Sequence, residues 1–420
     1  MIEQPKKEIQ KQIVELLLSV DEIISAALAG ESVHPDNWIS AREGLEALGL
    51  PSVNTMYEYI DDIIGGDNSV VPELQKYFVR FYEAQVSAYA RLMTCSDTYL
   101  DGKYGSDREF MQYVHFINQN SHTALYDFVY GNLVKLNEKN PNYHKLLTDD
   151  SKGWYFENNW LDGVGGANNS LIANRISTLK DNLPRIEQLY NNLADSISRR
   201  SLNALIKFWL TWDNTDWRAI SICYCDVVDT SVYMFYDDEV FVDCGSYIGD
   251  TVVQYINAVN QQFKRVYTYD ISGKSIDIIK QNLGQIENID IRHKGTGEFN
   301  TEMSVVGVDQ AFHGNKLSDS NQGNVVEKVQ VVRLDDDIKE PISFLKVDVE
   351  GVDKETLRGA KNHIRHTHPK IHVDSYHRLA DIVDVPELIW EIDPTYSIYF
   401  RLINTVDNPP RFPTPAFLAV

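Results

Sequence analysis

The apolar positions of this chain change their period once, near residue 220. Before that point they recur at helical spacing. Residues 6–29 place Ile9, Ile13, Leu16, Leu17, Val20, Ile24, Ala27 and Leu28 on one stripe, and Gly30 closes it, which predicts an amphipathic helix. Further helices are expected at 38–48, 52–64 and 72–94, the last carrying Tyr77, Phe78, Phe81, Tyr82, Val86 and Tyr89. One or two more are expected within 106–137. Such stripes bury against one another, so a bundle core is the first expectation and a homo-oligomer surface the alternative.

Residues 150–168 break the pattern with Trp154, Tyr155, Phe156 and Trp160, then Gly163, Gly165 and Gly166. No Lys-Ser/Thr comes after these glycines, so they read as a connector and not as a phosphate loop. A helical stripe resumes at Ser170, through Ile172, Ile176, Leu179, Ile186, Leu189, Leu193 and Ile197, with an interruption expected at Pro184. Residues 201–217 are helical and carry Trp209, Trp212 and Trp217, as a tie between the helical part and the sheet domain.

Past residue 220, short apolar strands alternate with helices. Strands are expected at 240–243, 265–270, 289–293, 328–334, 343–351 and 370–375, with helices at 251–260, 274–284, 356–364 and 385–391. Residues 300–326 read as a polar loop. Two closing strands, at 396–403 and 415–420, have no full helix between them and predict an antiparallel edge. The fold class is therefore α/β, a doubly wound and mostly parallel sheet preceded by an all-α N-terminal domain. The expected division is a helical domain at 1–150, a helical connector at 151–218 and the sheet domain at 219–420.

The candidate chemistry sits at V-F-V-D-C-G-S-Y-I-G-D-T, residues 240–251. It reads as a buried strand, a glycine turn and a helix start, where α/β sheets bind ligands. A dinucleotide site needs G-x-G-x-x-G. Here the order is D-x-G-x-x-x-G-D, and Asp243 and Asp250 would repel a pyrophosphate. They suit an ammonium, a sulfonium or ribose hydroxyls, a description that S-adenosylmethionine (SAM) meets. Asp270 ends the next strand about twenty residues on, placed to accept from ribose hydroxyls.

Composition narrows the partners. The chain has 420 residues and a net charge of -22, a field that repels nucleic-acid phosphates and anionic membranes. No run of about 20 apolar residues occurs and no signal-peptide run succeeds the early lysines, so no membrane insertion and a cytoplasmic protein are expected. The four cysteines (Cys95, Cys223, Cys225 and Cys244) form neither paired zinc clusters nor a disulfide framework.

Four blocks in order (V-F-V-D-C-G-S-Y-I-G-D-T, L-D-D, L-K-V-D-V-E-G-V-D-K-E-T-L-R-G-A and P-K-I-H-V-D-S-Y-H) make the chain from about 200 onward resemble the FkbM family of SAM-dependent methyltransferases. The resemblance implies a Rossmann-like class I methyltransferase fold and methylation of a hydroxyl, on a bacterial glycan sugar or a secondary metabolite. The family often has an acid followed by Pro after the second strand; here it is Asp270-Ile271-Ser272. The alternatives are an NAD- or nucleotide-sugar-using enzyme of the same fold class, which lacks its glycine triplet here, and a non-catalytic interaction module with a degenerate SAM fold.

On this reading Asp243 and Asp250 face the methionine end of SAM. Gly245, Ser246, Tyr247, Gly249 and Thr251 shape the turn, Asp270 with Ile271 and Ser272 takes the ribose, and Gly295, Thr296 and Gly297 border the adenine. A hydroxyl acceptor needs its proton removed. Asp348 and Glu350, at i and i+2 on one strand face, are candidate bases, with Lys346 holding one of them ionised. His377 is a further candidate, as an imidazole near neutral pKa. The alternative is structural: an Asp348–Lys346 pair and a packed His377. His363, His366, His368 and His372 span a helix end and a strand and are assigned no metal. Asp335–Asp337 reads as a solvated acidic run or a cap on the pocket. With no long insertion expected in the sheet domain, the helical domain is the candidate for acceptor recognition.

Overall fold

The computed structural model describes residues 103–141, 168–217, 220, 227–306, 316–318, 325–403 and 413–420. The helices expected within 6–94, the aromatic cluster at 154–160, the glycines at 163–166, and Cys95, Cys223 and Cys225 lie outside the described residues. The chain groups into two compact units. One comprises Met1–Leu147, Arg199–Asp226 and Leu402–Thr414; the other comprises Thr148–Ser198, Val227–Arg401 and Pro415–Val420.

In the first unit, helices α1 (Lys103–Gln119) and α2 (His122–Lys139) occupy the stretch where one or two were expected. Ser121 caps α2 by accepting the Ala124 N–H at 3.2 Å, and Leu125, Val129 and Leu133, four residues apart, are its buried face. The buried indole of Trp212 donates to the Val129 carbonyl at 3.2 Å, and Phe208 meets Trp212 and Trp217 edge-on. The tryptophans are thus packed core residues of this unit.

Three further helices precede the sheet: α3 (Asn168–Asp181), α4 (Leu183–Asn192) and α5 (Ser196–Thr211). The interruption expected at Pro184 falls at Asn182, and Pro184 stands in the first turn of α4, where its missing N–H costs nothing.

The sheet unit holds strands β1 (Val240–Cys244), β2 (Arg265–Asp270), β3 (Ile289–His293), β4 (Gly295–Thr296), β5 (Thr301–Val306), β6 (Lys316–Ser318), β7 (Val325–Val332), β8 (Phe344–Val347) and β9 (Lys370–Asp374). β10 (Ile398–Ile403) and β11 (Thr414–Ala419) complete the set. Its helices are α6 (Asp250–Ala258), α7 (Gly273–Leu283), α8 (Leu334–Asp337), α9 (Asp353–Gly359), α10 (Lys361–Thr367) and α11 (Asp381–Ile392). The main sheet has seven strands in the order β10-β11-β9-β8-β1-β2-β3. β1 is parallel to β2 and to β8, β8 is parallel to β9, and β11 runs antiparallel to β9, which makes the sheet mixed on the side of the two late strands. β1 is buried at all five positions, and its Phe241 stacks on Phe344 of β8 at 4.7 Å. From β1 the chain passes to β2 on one side and later returns to β8 on the other. The crevice beyond the carboxyl ends of β1 and β8 is therefore the switch point where such sheets bind ligands.

Two expectations need correction. The stretch 300–326 is not simply a polar loop: β5 and β6 lie in it and, with β4 and β7, form a separate four-stranded sheet ordered β4-β7-β5-β6. Its strands are half exposed, so their polar outward positions masked the strand signal. This sheet is an insertion between β3 and β8, which removes the premise that the sheet domain lacks one. Among the described residues no helix is long and apolar enough to cross a membrane.

Candidate active site

The turn after β1 is built by backbone that only glycine accepts easily. Gly245 has φ +81°, and a Cβ there would lie 1.8 Å from the Asp348 carbonyl oxygen. The ends of β1 and β8 are therefore in backbone contact. Gly245 and Ser246 both donate their N–H to the Tyr269 carbonyl, at 2.9 and 3.0 Å. Gly249, φ +83°, is the N-cap of α6 and packs against Leu283. Between them Tyr247 is also left-handed, at φ 50°, a conformation uncommon for a tyrosine. Its N–H donates to Asp270 Oδ2 at 2.9 Å, which holds the turn onto the end of β2.

Asp270 thus works on both sides: its Oδ1 accepts the Ser272 N–H at 2.8 Å. Burial pushes its pKa up to about 6, against those two hydrogen bonds. Ser272 caps α7, accepting the Ser275 N–H at 3.3 Å. Ile271 lies against Gly295, which a Cβ would bring to 3.2 Å from Ile271 Cγ2. Thr296 is turned elsewhere, its hydroxyl paired with Thr356 of α9 at 2.9 Å. Gly297 supplies a close approach for α9, since a Cβ on Gly359 would meet the Gly297 carbonyl at 2.0 Å.

Beneath the turn lies a buried charge pair. Lys346 Nζ donates to the Gly245 carbonyl at 2.8 Å and stands 3.3 Å from Asp243 Oδ1 and 3.7 Å from Asp348 Oδ2. Burial opposes its charge, but Asp243 and Asp348 outweigh that and raise its pKa. Asp243 is fully buried, and burial pushes it up to about 6 although Lys346 pulls it down. Apart from the Lys346 ion pair at Oδ1, neither oxygen of Asp243 has a hydrogen-bond partner among the described residues. Ser246 instead donates its hydroxyl to the Asp243 backbone carbonyl at 3.0 Å. A buried carboxylate beside a glycine turn, with Oδ1 in ion-pair reach of Lys346 and Oδ2 without a hydrogen bond among the described residues, fits a cationic or hydroxyl-bearing group, as SAM presents.

The carboxyl end of β8 carries a second constellation. Glu350 and Gly351 take positive φ (56° and 94°), and Asp353 organises this turn by accepting the N–H groups of Val349 at 2.9 Å and Gly351 at 3.1 Å. The same Asp353 lies 3.2 Å from His377 Nδ1. On its other edge His377 Nε2 is 3.3 Å from Asp348 Oδ1 and 3.7 Å from Glu350 Oε2. Burial disfavours the imidazolium, but Asp353, Asp348 and Glu350 outweigh it and raise the His377 pKa to about 10. This differs from the expected near-neutral imidazole: three carboxylates surround a ring that is 1% exposed, so His377 is a charged donor at neutral pH. Burial raises Asp348, but Lys346, His377 and the Tyr376 hydroxyl, donating at 3.0 Å, outweigh it and hold it below the usual carboxylate range. Asp348 and Glu350 keep about a quarter of their side-chain surface exposed (25% and 24%), whereas Lys346 and His377 are buried. Within this cluster those two carboxylates and Tyr376 are the side chains that are not fully buried.

Sequence reasoning missed Asp353 and Tyr376. Asp353 was visible as a third acid in V-D-V-E-G-V-D, at a spacing suited to a side chain folding back onto its own turn. Tyr376 was adjacent to His377 and carried no signal of its own. Asp250 opens α6 with Thr251 buried behind it. The four other histidines have separate partners: His363 the Ile338 carbonyl, His366 that of Asn362, His368 Thr395, and His372 Asp374. The acidic run is dispersed too. Asp335 accepts the first N–H groups of α10, Asp336 holds Asn300, and Asp337 takes Tyr269, Arg292 and Lys294.

Residues 243–395 match the family model of the methyltransferase FkbM domain, from Asp243 near the end of β1 to just past α11. Over this segment, about a third of the chain, the sequence is similar to an FkbM methyltransferase domain. The match is to a SAM-dependent methyltransferase domain, and SAM is the cofactor it implies for this segment. Among solved structures the chain is similar to an FkbM methyltransferase from Methylobacillus flagellatus KT, at 22% identity and a TM-score of 0.49, over 61% of this chain and 67% of that one. It is also similar to an rRNA methylase from Streptococcus thermophilus (16% identity, TM-score 0.26, 44% and 85% covered). A third is a precorrin-6y C5,15-methyltransferase from Geobacter metallireducens GS-15 (13% identity, TM-score 0.28, 45% and 82% covered). No curated protein matches the chain.

Proposed function

We propose that this methyltransferase acts on a hydroxyl, of a bacterial glycan sugar or a secondary metabolite, with Asp348 as the carboxylate that accepts the hydroxyl proton. The observation that carries this is the position of Asp348: ionised, partly exposed, at the carboxyl end of β8 and in backbone contact with the glycine turn. When bound, SAM would supply an electrophilic methyl group on its sulfonium, which would pass in line to the acceptor oxygen while S-adenosylhomocysteine left as the neutral thioether. Asp243 and Asp250 serve the methionine end. Gly245, Ser246, Tyr247 and Gly249 shape the turn, Asp270 takes the ribose, and Gly295 borders the adenine side. Glu350 lies beside Asp348 as an orienting acceptor. His377 and Lys346 keep Asp348 anionic and aimed, so they are positioning residues. A hydroxyl becomes strongly acidic only as its new C–O bond forms, so a weak but well-placed base suffices.

The experiment is titration of the purified full chain with SAM and with NAD, then transfer of labelled methyl from SAM to a panel of hydroxylated glycans and metabolites. SAM binding without NAD binding is expected. Asp348→Asn should lower turnover by about 10²-fold or more while SAM affinity stays within about threefold. Full turnover by Asp348→Asn would overturn the base assignment, and transfer only to amine acceptors would overturn the hydroxyl.

A further inference from the structure

A cleft of about 470 Å³ opens in the sheet unit, lined by Arg333, Arg358, Lys361 and Arg365. None of the residues of the glycine turn lines it. α9 begins just past the carboxyl end of β8, and the chain must return to the amino end of β9 at Lys370. α9 and α10 cover that return, so Arg358, Lys361 and Arg365 stand progressively farther from the carboxyl-end crevice. Arg333 succeeds β7, and the Gly297 N–H donates to the Val332 carbonyl at 3.0 Å, which brings the Glu298–Phe299 segment beside it.

The cations are only lightly engaged by this chain. Arg333 makes long bonds to Asp335 and Asp336 (3.3 and 3.5 Å), and Arg358 stands 3.7 Å from Glu355. Arg365 spends its Nε on the Ile392 carbonyl at 2.9 Å, which leaves its terminal nitrogens to the cleft. Lys361 is exposed and enters no ion pair among the described residues. Two carboxylates, Glu298 and Glu391, also line the cleft, so cations exceed them by two. Such an excess, in a chain of net charge -22, is matched by a dianionic group. Guanidinium forks from three elements favour phosphate over a single carboxylate. The remaining wall is apolar: Leu388 and Ile392, with the Phe299 ring 68% exposed. An open aromatic face beside a cationic cleft suits a flat heterocycle attached to phosphate. The volume is in the range of small-ligand sites.

We propose that this cleft binds a nucleoside phosphate, with the phosphates on Arg333, Arg358, Lys361 and Arg365 and the base against Phe299. The site is independent of the glycine turn and of the methyl-transfer reading.

The test is calorimetric titration of the full chain with UDP, ADP and inorganic pyrophosphate, with and without SAM. Both nucleotides should bind, each at least tenfold tighter than pyrophosphate and unaffected by SAM. Lys361→Glu and Phe299→Ala, both at exposed positions, should each weaken nucleotide binding about tenfold while thermal midpoint and SAM affinity stay unchanged. Raising salt should weaken all three phosphates. Absence of nucleotide binding would overturn the proposal. So would binding that both variants leave intact, ADP and UDP binding abolished by SAM, or pyrophosphate binding equal to that of the nucleotides.

Discussion

Gly245→Ala is the sharpest perturbation of the proposed site. The added methyl would lie 1.8 Å from the Asp348 carbonyl oxygen and 2.8 Å from its carbon, where ordinary contact begins at 3.4 Å. The obstacle is backbone of a buried strand end and cannot rotate aside. Relief needs a shift of more than an ångström between the ends of β1 and β8, which would also disturb the Lys346 bond to the Gly245 carbonyl. The left-handed φ of +81° adds about 1–2 kcal/mol for any residue with a Cβ. Overpacking of this kind costs about 1–3 kcal/mol, so a loss of about 2–5 kcal/mol is expected. Gly249→Ala meets the flexible Leu283 side chain at 2.8 Å and should cost less. Gly131→Ala, inside α2 with nothing within 4 Å, should stabilise by up to about 1 kcal/mol. The assay is urea unfolding of the three variants together with SAM titration of each. The ranking Gly245, then Gly249, then Gly131 is the expected outcome, with SAM affinity lost most at Gly245. A Gly245→Ala protein within about 0.5 kcal/mol of wild type that still binds SAM fully would refute the argument.

Three other outcomes are expected from the same geometry. His377 has its pKa raised from 6.5 to about 10, so the folded state binds its proton more tightly; its stabilisation is complete below about 6.5 and is lost as pH rises to about 10. The stability difference between wild type and His377→Gln, tracked by unfolding at successive pH values, should therefore shrink across that window, and a constant difference would contradict an imidazolium there. Lys346→Met removes the cation that offsets buried Asp243 and should cost about 3–5 kcal/mol, read by denaturant midpoint; an unchanged midpoint would mean that Asp243 is not charged in the fold. Asp270→Asn keeps the acceptor for Tyr247 or Ser272 but weakens the carboxylate, so SAM affinity should fall about tenfold with little loss of thermal midpoint, and unchanged affinity would remove Asp270 from the ribose role.

The legible and the hidden parts of this sequence divide along a physical line. β1 could be read because a strand covered on both faces is a continuous apolar run, and the turn because positive φ demands glycine at Gly245 and Gly249. The antiparallel run of β11 was legible in the short spacing between the last two apolar stretches. The small sheet could not, since half-exposed β5 and β7 present polar residues that read as loop. The charge states of the site were equally hidden, for a different reason. The protonation of His377 is set by Asp348, Glu350 and Asp353, which lie 24–29 positions earlier in the chain and meet it only because β8 and β9 are adjacent and parallel. A histidine at a strand end is neutral or charged according to neighbours that no local pattern names. Placement in this protein is written in periodicity and glycines, whereas the choice of base depends on which carboxylate the fold leaves partly exposed. On the proposed reading it is Asp348 and not the equally exposed Glu350, because Lys346 and His377, the cations that hold Asp348 ionised, are buried behind it.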